Sequence, residues 1–147
     1  VAERPRPGAE PQAKIGDFGL ARLREEEGPG GKGRYLSLDV GSSIYMAPEV
    51  FACMADEHPA PYGDRMDVYS YAMLVYELLT DRFPYEGREE VRGRNPQTVG
   101  HLVGREHVRP DVGQIPWNAP AAPQSIMRKC WAPGAAERPS FQQVLHE

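Results

Sequence analysis

The sequence predicts a mainly helical domain with one short β hairpin near its start. Three observations lead there. The apolar stretch "DVYSYAMLVYELLT" (67–80) repeats with a helical period; several shorter segments carry helix caps or first-turn prolines; and two short apolar runs flank a glycine turn close to the beginning.

Taken in order, residues 1–12 ("VAERPRPGAEPQ") are rich in Pro, Glu and Arg and read as an exposed connection. Residues 13–23 hold "AKIG" and "LARL" on either side of Asp-Phe-Gly, a candidate strand pair. Residues 24–34 mix glycine, proline and charge, which predicts a mobile segment. Gly28, Gly30 and Gly33 in it match G-x-G-x-x-G by spacing, but glutamates precede them where a phosphate loop needs a strand. "APEVFACM" (47–54) predicts a short helix, with Pro48 tolerated in its first turn.

In the best helix, Val68, Tyr71, Ala72, Val75, Leu78 and Leu79 fall on one face of a 3.6-residue period. Met73, Leu74 and Tyr76 occupy the other face, so this helix is expected in the middle of the domain. Asp64 and Asp67 are acidic start signals, Asp67 reads as an N-cap, and Pro84 stops continuation. Asn95 followed by Pro96 predicts a capped helix to about Val103. "PQSIMRKCW" predicts another, closing at Trp131, and Ser140 caps a terminal one.

Composition excludes several classes. Apolar residues make up 40% and charged residues 26%, with a net charge of -4. That balance fits a globular domain, and without clustered Lys and Arg it argues against nucleic acid as a partner. No apolar run approaches the ~20 residues of a membrane-spanning helix. Cys53 and Cys130 lack metal-ligand spacing and read as reduced, packed thiols of a cytoplasmic protein. His58, His101, His107 and His146 form no metal-binding pattern.

Four spaced motifs then occur in one order: "KIGDFGLAR" (14–22), "GSSIYMAPEV" (41–50), "DVYSYAMLVYELLT" (67–80), and "CW" (130–131) with "RPSF" (138–141). Together they resemble the eukaryotic protein kinases, and most closely their tyrosine-kinase-like serine/threonine group. The resemblance spans roughly residues 13–147 and implies the carboxyl lobe of a kinase fold. On it, 24–49 is the activation segment and 50–147 the helical lobe.

The resemblance implies the following roles. Asp17 would hold the magnesium ion bridging the ATP phosphates, since a hard cation takes carboxylate oxygen. Phe18 would set the active or inactive turn, and Gly19 would permit its backbone. Ser42 stands where the family carries threonine, so its hydroxyl would touch the catalytic aspartate, with Tyr45 completing the substrate loop. Tyr35, Ser37 and Ser43 are candidate phosphosites near Arg22, Arg24, Lys32 and Arg34. Glu49 would pair with Arg138, tying the substrate loop to the last helix. Asp67 would hold the catalytic loop, and Trp131 is structural. Gly134-Ala135 departs from the Asp-Pro that relatives often carry.

A kinase also needs a glycine-rich cover, a strand lysine, a helix glutamate and a catalytic-loop aspartate and asparagine. None precedes Asp17, and the chain opens on Val1. The expectation is a carboxyl-terminal fragment of a serine/threonine kinase acting on protein hydroxyls with ATP and magnesium, inactive by itself. Its isolated helices should leave a large apolar patch open. The alternative is a kinase-derived remnant that serves as a non-catalytic scaffold.

Overall fold

A computed structural model describes residues 13–16, 42–56 and 63–147. The chain divides into two units, residues 1–31 and 32–147. Of the first, only residues 13–16 are described; they are exposed and carry no regular structure. The expected strand pair over 13–23 is therefore not found: among the described residues there is no strand, and residues 17–23 lie outside them.

The second unit is helical. A 3-10 turn over Ser42–Tyr45 leads into α1, Pro48–Asp56; then follow α2, Asp64–Thr80, α3, Pro96–Gly104, α4, Ala121–Cys130, and the short α5, Phe141–Val144. The sequence signals set most of these boundaries. Pro48 and Pro96 each occupy a first helical position, where the missing N–H costs nothing. Asn95 accepts a hydrogen bond from the Thr98 N–H at 2.8 Å. Ser140 and Gln143 form a reciprocal capping box, at 3.2 and 2.7 Å. Helix α2 differs: its cap is Gly63, with no side-chain bond, and Asp67 sits inside the first turn. It ends at Thr80, as expected, and before Pro84; the C-cap Asp81 has a left-handed backbone (φ 53°) and returns its N–H to the Glu77 carbonyl at 2.8 Å.

Helix α2 is the hub, as its composition predicts, but its inward face is turned from the expected one. Val68, Tyr69, Ala72, Met73, Val75 and Tyr76 are buried, whereas Leu78 is 76% exposed. A helix apolar on all sides gives no directional signal, so periodicity alone could not choose the face. Each buried side chain of this size is worth about 1.5–3 kcal/mol. On the outer ridge, Leu74 and Leu78 stay open beside Tyr71, which meets Phe141 edge-on at 5.8 Å. Leu145 is exposed as well.

Helix α4 packs along α2, and α1 packs on α3. The second contact depends on one glycine. A Cβ on Gly100 would lie 2.6 Å from Cβ of Phe51, at the base of that ring rather than its movable tip. Gly100→Ala should gain ~1 kcal/mol of helix propensity but lose about 1–3 kcal/mol to overpacking. We expect a lower midpoint in denaturant melts. A midpoint at or above the parent's would show that α1 and α3 part freely.

Candidate functional site

The segment from Ser42 to Glu49 is fastened in its middle and at its far end. In its middle, Tyr45 reaches α2 twice. Its hydroxyl donates to Glu77 Oε2 at 2.5 Å, and its carbonyl accepts from Ser70 Oγ at 2.9 Å. Ser70 and Glu77 are seven residues apart, about two helical turns, so the tyrosine lies along α2 rather than merely touching it. The turn itself closes through the Met46 N–H to the Ser43 carbonyl at 3.1 Å.

At its far end, Glu49 meets Arg138. The pairing is bidentate: Nη1 to Oε1 at 2.7 Å and Nη2 to Oε2 at 2.9 Å. The guanidinium also donates to the carbonyls of Ala132, Arg65 and Pro133, at 2.9, 3.0 and 3.1 Å. Arg65 returns a bond to the Arg138 carbonyl at 2.5 Å. The Arg138 side chain has no solvent exposure, and the Glu49 side chain keeps 29%. A buried cation is tolerable only when its donors are satisfied, and here they are. Gly134-Ala135 does not disturb this arrangement. The Ala135–Glu137 3-10 turn follows Gly134 and delivers Arg138 into place.

Beneath the pair lies Tyr69, fully buried, with the Arg138 guanidinium 5.0 Å from its ring centroid and that of Arg109 at 5.3 Å. Its hydroxyl shares a 3.0 Å hydrogen bond with that of Tyr85. Arg109 donates to the Trp131, Val103 and Val108 carbonyls at 3.0, 2.9 and 2.9 Å. Trp131 is thus buried at the end of α4, and its carbonyl anchors the second cation. Sequence reasoning missed Tyr69, Arg109, Ser70 and Glu77. Only the carboxylate of Glu77, flanked by Tyr76 and Leu78, offered any signal.

The other anticipated residues fall as follows. Asp17, Phe18, Gly19, Tyr35 and Ser37 lie outside the described residues. Ser42 opens the 3-10 turn, and Ser43 is 3% exposed, so a phosphate there would require the turn to open. Asp67 is exposed, and among the described residues it has no hydrogen-bond partner. Partial desolvation and the neighbouring Asp64 hold its carboxyl above the usual range. Among the described residues, no group of three or more His, Cys, Asp and Glu could hold a metal ion, and no helix is long and apolar enough to cross a membrane.

Two hollows border the segment. One of about 600 Å³ opens between α1 and α3, where Glu49 is engaged by Arg138 and His101 by Glu106 at 3.3 Å. A smaller one of about 180 Å³ adjoins Ser43 and Ile44.

A family model for the protein kinase domain matches residues 8–147. The chain belongs to the protein kinases. It is 35% identical over 132 residues to the serine/threonine-protein kinase A-Raf of Sus scrofa, covering 90% of this chain and 20% of that one. The chain thus spans about a fifth of that relative's length. Through that relative the chain is similar to the tyrosine-kinase-like group.

The Tyr45 anchor carries a pH signature. Burial, then the hydrogen bond to Glu77, then the Glu77 charge, push its phenol up to about 12. An unfolded tyrosine ionises near 10. The anchor therefore contributes fully below pH 10 and loses its contribution as pH climbs through 12. Burial also raises Tyr69, Tyr76 and Tyr85. We expect the melting temperature to fall steadily from pH 10 to 12, and less steeply in Tyr45→Phe. Equal slopes would show that Tyr45 is not held as described.

Proposed function

We propose that this chain is the substrate-facing part of a protein serine/threonine kinase that works inside the cell. The observation that carries this reading is the doubly fastened Ser42–Glu49 segment, held by Tyr45 on α2 and by Glu49 on Arg138. A segment fixed at two points can present a protein hydroxyl in one orientation, and orientation is much of what phosphoryl transfer needs.

In this proposal, Asp17 supplies carboxylate oxygen to magnesium, and Phe18 and Gly19 set its turn. The bound ion neutralises charge on the ATP phosphates. Ser42 would place its hydroxyl beside the acceptor serine or threonine, and ATP would supply the phosphoryl group. The 147 residues contain no His-Arg-Asp sequence, so they are proposed to be a fragment inactive by itself. Domain limits at 24–49 for the activation segment and 50–147 for the helical lobe belong to this reading.

The test is transfer of labelled γ-phosphate to a protein acceptor by the native gene product, at whatever length it is made. Transfer to serine or threonine is expected, with Asp17→Asn lowering it by about a thousandfold. Transfer undiminished in Asp17→Asn would refute the role of Asp17. No transfer at all, with partner binding intact, would favour a non-catalytic scaffold. That second reading is kept because the contacts that fasten Tyr45 and Glu49 are made by this chain's own residues.

A further inference from the structure

We infer that the hollow between α1 and α3 binds a small, flat aromatic molecule that carries one carboxylate. Glu49 borders both this hollow and the fastened segment, but the inference goes beyond the kinase reading and does not depend on it.

Size and shape are the first argument. At about 600 Å³ the hollow lies within the roughly 300–1,000 Å³ of small-molecule sites. Its wall is made of flat surfaces rather than long apolar chains. Pro48, Pro96 and Pro133 supply three rigid rings, while Gly100, Gly104 and Gly134 present bare backbone. The two helices meet along a seam. A Cβ on Gly100 would strike Phe51, and one on Gly104 would stand 3.7 Å from Cβ of Pro48. The hollow is thus a slot floored by that seam. Rings and peptide planes lose little freedom on binding, and an aromatic body buries much apolar area against them.

Charge is the second argument. Three ionisable side chains line the slot: Glu49, His101 and Arg105. Two are occupied, Glu49 by Arg138 at 2.7 Å and His101 by Glu106 at 3.3 Å. Glu106 itself is not on the wall. Arg105 is exposed, and among the described residues its side chain has no ion pair and no hydrogen bond. The slot therefore offers one free guanidinium, whose planar fork matches a carboxylate. An apolar cleft with a single convergent cation suits an apolar body with a single anionic end.

The test uses β-naphthoate as the probe on the native gene product, at whatever length it is made, with binding read from the polarisation of the probe's own fluorescence. β-Naphthamide has the same rings without the charge, and should bind roughly tenfold more weakly. Arg105→Gln should bring the two probes to equal affinity. Ala52→Trp, at an exposed position of the α1 wall, fills the slot and should weaken β-naphthoate about tenfold. The probe should also raise the melting temperature of the parent and not that of Ala52→Trp. Arg105 is exposed and outside the core, so its variant reads the charge independently of any disturbance of α1 by the tryptophan. Equal affinity for the two probes in the parent, or a preference unchanged in Arg105→Gln, would overturn the inference. So would β-naphthoate binding that Ala52→Trp leaves intact, which would put the probe on another surface, such as the Leu74 and Leu78 ridge. A ligand-free dimer in sedimentation that Ala52→Trp disperses would also overturn it, reassigning the slot to a second copy of the chain. Phosphate transfer enters none of these readouts, so their failure leaves the kinase reading standing.

Discussion

Arg138→Ala should cost roughly 3–5 kcal/mol of stability, enough to unfold most of a marginal domain. Three losses coincide. The largest fully buried side chain disappears, leaving a cavity. The carbonyls of Ala132, Arg65 and Pro133 lose a donor in a buried setting. Glu49 loses its bidentate partner, though its partial exposure lets water take over there. Glu49→Ala removes less material but strands a cation with no solvent contact, and should cost about 3 kcal/mol. The two single changes should not add, because after the first the second removes a group already unpaired. Arg138→Met separates volume from charge. With Glu49→Ala it should recover much of the loss, since apolar replacement of a buried pair is often tolerated. Denaturant melts of the parent, the two single variants and the double would decide it. Additive losses, or an Arg138→Ala variant as stable as the parent, would mean that the pair does not hold the segment to the last helix.

That pair was legible in the sequence because both members sit inside spaced motifs, "APE" and "ERPSF", whose order carries the family. The helices were legible for local reasons: Asn95-Pro96, Ser140 and Pro48 fix backbone geometry within four residues. What failed was direction. Leu78 and Leu74 alternate with Tyr69, Met73 and Tyr76 on a helix with no polar face, so nothing local says which ridge faces inward. The cap of α2 was misread for a related reason. Two aspartates three residues apart, Asp64 and Asp67, compete for the same role, and neither took it, leaving Gly63. Arg109 was illegible because "REHVRPD" reads as a charged loop. Its contacts, the carbonyls of Val103, Val108 and Trp131 and the ring of Tyr69, are set by how α2, α3 and α4 meet.

Tyr69→Ala should be as damaging as loss of Arg138, at roughly 3–5 kcal/mol, for a reason the ion pair alone does not supply. The ring lies between two guanidiniums, 5.0 and 5.3 Å from its centroid. Both cations gain attraction from its faces, more than at a surface because water is excluded. Truncation opens one cavity beside two cations, and Arg109 already has a buried nitrogen, Nη2, without a hydrogen-bond partner among the described residues. Tyr69→Phe keeps the ring and removes only the hydroxyl. It strands the Tyr85 hydroxyl and should cost about 1 kcal/mol. The contrast separates ring from hydroxyl: a small loss in Phe and a large one in Ala assigns the work to the π face. Tyr69→Leu then distinguishes π attraction from plain filling, since leucine restores apolar bulk without a quadrupole. If Leu melts with Phe, the cations need only a packed neighbour. If it melts well below Phe, the ring face holds them. In that case Tyr69→Ala also loosens Arg138, and through Glu49 frees the far end of the Ser42–Glu49 segment. Protease cleavage between Tyr45 and Glu49 should then rise in Tyr69→Ala and stay at the parental rate in Tyr69→Phe.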